Sequence, residues 1–90
     1  MLRNVSLTVK GRVQGVFYRA SAKQKADELG VSGWVKNLPD GSVYIEVEGT
    51  EEQLDAMHAW CQEGPPRADV YVVERINGEL KNYKDFRIVR

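Results

Sequence analysis

The amino-acid sequence predicts an α+β fold: a ferredoxin-like split-βαβ sandwich, in which an antiparallel sheet carries two helices on one face. Three observations lead there. Apolar residues alternate with period two in several separate runs, two intervening stretches change to the helical period, and glycine or proline punctuates the joins. The resulting order is strand, helix, strand, strand, helix, strand, with a small strand appended, which is two βαβ halves in succession. The 90 residues make a single domain, 1–90, large enough to bury a core without disulfide or metal staples.

Residues 2–9 alternate loosely between apolar and polar types, are rich in β-branched side chains, and are predicted to form a strand ending at Gly11. From Tyr18 the period changes: Tyr18, Ala22, Ala26 and Leu29 share one helical face, with Lys23, Gln24, Lys25, Asp27 and Glu28 largely on the others. Gly30 closes this helix, since glycine readily takes the left-handed conformation found at helix C-termini, and Val31 is placed to add the accompanying apolar contact. Residues 31–38 and 42–48 are strand-like and joined by Pro39-Asp40-Gly41, which predicts an antiparallel hairpin. Val43, Ile45 and Val47 alternate with Tyr44, Glu46 and Glu48, so one face is expected to be buried and the other largely wet. Thr50 and Gln53 form a capping box, Glu51 and Glu52 suit the positive end of a helix, and Leu54, Met57 and Cys61 recur at helical spacing until Gly64-Pro65-Pro66 stops it. Residues 68–76 alternate again, Asn77-Gly78 is a turn signal, and residues 86–89 suit a short final strand.

With 13 basic and 13 acidic side chains the net charge is zero, so no global field draws the chain to nucleic acid or an anionic membrane. The distribution is uneven. Up to Ala26 every charge is positive (Arg3, Lys10, Arg12, Arg19, Lys23, Lys25), whereas residues 40–63 carry only acidic groups beside His58. The opening segment is therefore suited to face an anion. No apolar run approaches the roughly 20 residues needed to span a bilayer, and the start of the chain lacks a signal peptide's apolar core and cleavage site. Cys61 is alone and permits no internal disulfide. These features predict a cytoplasmic protein with no membrane role. Asn4-Val5-Ser6 matches the glycosylation triplet, which reads as chance where no secretory signal precedes it.

The join between the first strand and the first helix holds the richest chemistry. In "VKGRVQGVFYRA", Gly11, Gln14 and Gly15 stand immediately before the first helical turn. The first helical N–H groups have no intrahelical partner, and the helix dipole adds partial positive charge, so such an end is a ready anion site. Arg19 adds a permanent charge in a planar fork matched to two phosphate oxygens. Two readings of these residues stay open: a phosphate cradle, or glycines that serve only the turn beside a solvated arginine. Neither a P-loop nor a Gly-x-Gly-x-x-Gly fingerprint is present, so a bound phosphate is expected on a small substrate.

"VKGRVQGVFYR" (9–19) and "GWVKNLPDGSVYIEVEG" (33–49) resemble the two signature motifs of the acylphosphatases, small enzymes that hydrolyse the carboxyl-phosphate bond of acyl phosphates. The first is matched at Gly11, Val13, Gln14, Gly15, Val16 and Arg19, the second at Gly33, Trp34, Val35, Lys36, Asn37, Gly41, Val43 and Gly49. Tyr18 departs from the family's more usual Phe or Met but keeps an aromatic ring. The resemblance implies that Arg19 binds the substrate phosphoryl group alongside amides of the Gln14, Gly15, Val16, Phe17 and Tyr18 loop, and that Asn37 positions the attacking water. Both roles make physical sense, because a loose phosphoryl-transfer transition state needs its oxygens held and its nucleophile placed in line. A neutral amide that both donates and accepts can orient water. A carboxylate leaving group removes the need for a strong general base.

Read without the motif, Asn37 is an ordinary residue entering the Pro39-Asp40-Gly41 turn. His58 lies mid-helix and Cys61 on the core stripe, and neither is assigned to catalysis. Neither motif has metal-ligand spacing, and no cofactor is expected. The rate is expected to depend weakly on pH near neutrality, since neither an amide nor a guanidinium titrates there. The predicted protein is a monomer acting on a small-molecule acyl phosphate, with no nucleic-acid partner. An RNA-binding sheet face is disfavoured because Tyr44 lies beside Glu46 and Glu48. The competing reading is a non-catalytic module that binds phosphate or an acyl phosphate through the same cradle.

Overall fold

A computed structural model describes residues 1–90. The elements run β1 (Arg3–Arg12), α1 (Tyr18–Leu29), β2 (Ser32–Asn37), β3 (Val43–Gly49), α2 (Glu51–Glu63), β4 (Asp69–Gly78) and β5 (Phe86–Val89). Strand alternation decides which side chains turn inward. Val5, Leu7 and Val9 of β1, Val35 of β2, and Val43, Ile45 and Val47 of β3 join Tyr18, Ala22 and Ala26 of α1 and Leu54, Met57 and Cys61 of α2 in one buried core. Both helices therefore cover the same face of the sheet. The strand order is β4-β1-β3-β2-β5. The four main strands pair antiparallel, which gives the split-βαβ sandwich, and the appended β5 enters parallel to β2. No helix is long and apolar enough to cross a membrane.

The helix ends follow from their residues. At the close of α1 the Gly30 amide reaches the Ala26 and Asp27 carbonyls, and the Val31 amide donates to Ala26 O at 3.1 Å. At the start of α2 both capping-box bonds form: the Gln53 amide donates to Thr50 Oγ1 (3.2 Å) and the Thr50 amide to Gln53 Oε1 (2.8 Å). Gln53 Nε2 also donates to the Leu29 carbonyl at 2.9 Å, which ties the start of α2 to the end of α1.

Three local expectations are corrected. β1 continues through Gly11 to Arg12, with a register shift against β4 between Lys10 and Gly11 that takes up an irregular residue. Asn77-Gly78 is not a turn. These residues pair with Val5 and Asn4 at the end of β4, because completing the backbone ladder outweighs the local turn preference. The outer face of β3 is not wet, for Glu46 and Glu48 are only 6% and 4% exposed. The 79–85 segment crosses over them. Glu48 accepts from the amides of Lys81 (2.6 Å) and Tyr83 (3.0 Å). Glu46 accepts from Lys81 Nζ (2.6 Å) and the Tyr83 hydroxyl (2.9 Å). Asn4 Nδ2 bridges the two carboxylates at 3.0 and 2.8 Å. Burial works against both negative charges, but these hydrogen bonds outweigh it and hold both carboxyls below their ordinary pKa. Asn4, enclosed in the network, is inaccessible to a glycosyl donor.

Gly33 shows why the second motif needs a glycine. Its φ is 139°, and a side chain there would run into the Glu46 carbonyl oxygen of the neighbouring strand. That close approach lets the Gly33 amide donate to the Asp85 carbonyl at 2.8 Å, which fixes the start of β5 beside β2.

Candidate active site

Register brings the site together. Val9 lies opposite Val43, Val43 opposite Asn37, and Lys36 opposite Val89. The C-terminal ends of β1, β2 and β5 therefore share one end of the sheet, where β1 also leads into α1. A cavity of about 320 Å³ opens there, lined by Gly15 and Phe17 from the β1–α1 connection, by Arg19 from the first turn of α1, by Asn37, by Ile88 of β5 and by Arg90 just beyond it.

The connection is shaped as a cradle. φ is 75° at Gly15 and 64° at Phe17, with Val16 between them outside the left-handed region and the helix beginning at Tyr18. Alternating φ turns successive amides toward one side, the geometry of an anion-binding nest. Phe17 occupies the N-cap position without a side-chain cap, and the first turn of α1 holds no acidic residue. The amides at this helix end are thus left without a side-chain acceptor, and no carboxylate competes for the positive end of the dipole.

Gln14 and Tyr18 contribute to this loop by backbone alone, because their side chains are committed elsewhere. Gln14 Nε2 donates to the carbonyls of Leu38 and Ser42, both at 2.8 Å, and so clamps the cradle to the turn that follows Asn37. That turn is closed by the Gly41 amide on Leu38 O (3.1 Å) and the Leu38 amide on Ser42 O (2.9 Å). Asp40 Oδ1 accepts from the Ser42 hydroxyl (2.6 Å) and amide (2.9 Å), which holds the Asp40 carboxyl below its usual pKa. Tyr18 is a core residue. Its hydroxyl donates to the Cys61 carbonyl at 2.8 Å, its ring lies 5.3 Å from that of Trp60, and burial pushes its pKa far above the phenolic range. Val16 is likewise buried.

Arg19, Asn37 and Arg90 are the polar side chains of the cavity that take part in no hydrogen bond or ion pair. Among the early cations, Arg3, Lys10, Lys23 and Lys25 pair with Glu51, Glu74, Asp27 and Glu28. Arg12 and Arg19 take part in no ion pair, and Arg19 faces the cavity. Asn37 Oδ1 is buried without a hydrogen-bond partner, the one such side-chain atom in the protein. Leaving a buried acceptor unsatisfied costs about 1–3 kcal/mol, and an orphan retained beside a free guanidinium in a cavity points to a role with ligand or solvent.

Ile88 and Arg90 escaped the reading of the sequence. Neither belongs to a motif, and only the parallel pairing of β5 with β2 brings them to the cavity. His58 and Cys61 do not line it. His58 Nδ1 lies 3.3 Å from the Arg75 guanidinium, between α2 and β4. Cys61 is fully buried, and burial pushes its thiol up to about 12, which leaves no thiolate for catalysis.

An uncapped helix end and an unpaired guanidinium bordering one cavity, with a side-chain amide left without a partner beside them, suit a small phosphohydrolase that works by positioning and electrostatics. Known proteins narrow that class. The acylphosphatase family model matches residues 5–88. The acylphosphatase of Methylococcus capsulatus is 58% identical over 98% of this chain and 100% of its own length. The crystal structure of acylphosphatase from Bacillus subtilis has a TM-score of 0.95 at 35% identity, covering 100% of both chains. The structure of an acylphosphatase from Coxiella burnetii has a TM-score of 0.94 at 40% identity, covering 98% of this chain and 93% of its own. The chain belongs to the acylphosphatase family, hydrolases of acyl phosphates.

Proposed function

We propose that hydrolysis proceeds with the phosphoryl group held by the amides of Gln14, Gly15, Val16, Phe17 and Tyr18 together with the Arg19 guanidinium, while Asn37 places the attacking water. The water oxygen forms a bond to phosphorus as the bond to the bridging carboxyl oxygen breaks. A carboxylate and inorganic phosphate leave. Negative charge on the phosphoryl oxygens meets amide donors and a permanent cation in a fixed arrangement, the electrostatic stabilisation that a loose transition state uses. A substrate phosphate oxygen takes the proton of the water, so Asn37 orients and does not ionise. Gln14 keeps cradle and water site in step by fastening one to the turn behind the other.

The observation that carries this reading is that Asn37, whose Oδ1 is buried without a partner, lines the same cavity as an unpaired Arg19. The reading includes a cytoplasmic monomer that acts on a small molecule, needs no cofactor, and has no nucleic-acid or membrane partner. Zero net charge and a lone cysteine support it. The test is release of inorganic phosphate from benzoyl phosphate without added metal. Asn37→Ala is expected to lower kcat by about 10²-fold, as for other groups that act at the reaction step, while inhibition by inorganic phosphate changes little. A folded Asn37→Ala variant with near-normal kcat would remove Asn37 from the mechanism. Wild-type turnover no faster than buffer, with phosphate still bound, would favour a binding module.

A further inference from the structure

We propose that Phe17 and Ile88 form an acyl-binding wall, and that the enzyme prefers acyl phosphates whose acyl group is extended and apolar. This rests on the hydrolytic reading above, in which the cradle fixes the phosphoryl end of the substrate. From the bridging oxygen the acyl group must continue into the rest of the same cavity, and the residues there decide what it meets. Phe17 stands at the cradle's edge with 72% of its surface exposed and φ at 64°. A bulky residue is strained in that conformation, and glycine would adopt it freely. The ring adds nothing to the core, so both the strain and the exposed apolar surface are retained without a packing return.

Ile88 belongs to the row of β5 that turns toward the helices. Phe86, two residues earlier in that row, is 2% exposed and part of the core, whereas Ile88 is 36% exposed and borders the cavity. Beneath the two lie Val13 and Tyr18, 1% and 2% exposed, which give the cavity an apolar floor. The charged side chains that line it are those of Arg19 and Arg90, with no Asp or Glu among them. An acyl chain seated here gains apolar contact on two sides, and a cationic chain is repelled. The wall is continuous with the phosphate cradle through Phe17, whose amide belongs to one and whose ring belongs to the other.

The test compares acetyl, butanoyl and hexanoyl phosphate, whose leaving carboxylates have the same chemistry and differ in methylene count. If the wall is real, kcat/KM rises about twofold per methylene, roughly half the effect of full burial, and the rise is carried by KM. Ile88→Ser is expected to flatten the series and leave inhibition by inorganic phosphate unchanged, since phosphate does not reach the wall. Phe17→Gly, which keeps the backbone conformation and removes the ring, is expected to flatten it as well. Fast turnover with no dependence on chain length overturns the wall and leaves the hydrolytic reading standing. Turnover of all three no faster than buffer overturns both. A wild-type slope that persists in both folded variants overturns the assignment to Phe17 and Ile88.

Discussion

α2 begins with a closed N-terminus and α1 with an open one. At α2, Thr50 and Gln53 exchange hydrogen bonds with each other's backbone, and Glu51 and Glu52 sit in the first turn against the positive end of the dipole. At α1, the N-cap residue offers no acceptor, no acid follows it, and the flanking backbone alternates between left-handed and other conformations. Both ends carry the same orphan amides and the same partial charge. In α2 these are used within the chain and stabilise it. In α1 they remain available, beside a guanidinium without a carboxylate partner. The difference teaches where stability has been given up, and the place coincides with the cavity.

The largest expected effect comes from removing the charge that distinguishes the open end. Arg19→Ala should lose at least about 10²- to 10³-fold in kcat/KM for benzoyl phosphate, the loss typical of one transition-state donor, with circular dichroism unchanged. Near-normal activity would mean that the amides alone suffice. A sharper version gives α1 the carboxylate that α2 already has. Ala20 is exposed in the first turn of α1 and lines the cavity. Ala20→Glu should weaken inhibition by inorganic phosphate about tenfold through charge repulsion across a few ångströms, while thermal stability holds or rises. Unchanged phosphate inhibition would show that this helix end is not the anion site. The smallest effect lies at the other helix. Thr50→Ala should cost about 1 kcal/mol in chemical denaturation and leave kcat and phosphate inhibition untouched, and a fall in kcat would break the division between the two ends.

What was legible in the sequence was local. Thr50 and Gln53 are three residues apart and announce their cap directly, and Gly15 and Arg19 stand within one loop and turn. Period-two alternation placed Val43, Ile45 and Val47 in the core. Where a distant segment intervened, local rules misled. Glu46 and Glu48 alternate like solvent-facing residues, but Lys81 and Tyr83, more than 30 residues away, cover them. Asn77-Gly78 has turn composition, but β1 offered those residues a ladder. Gln14 belongs to a motif, yet its clamp on Leu38 and Ser42 is visible only once the hairpin lies beside the loop. Ile88 and Arg90 had no local signal at all, since their place depends on which side of β2 the last strand joins.

Cys61 gives the molecule a consequence of another kind. Its thiol is fully enclosed, its pKa is pushed up to about 12 by that burial, and its carbonyl is held by the same Tyr18 that opens α1. An alkylating reagent must wait until the core between α1 and α2 parts, because neither solvent nor thiolate is present before then. The rate at which Cys61 is labelled therefore keeps time for the parting of α1 from α2, and an ordinary thiol reagent reads it without any added probe.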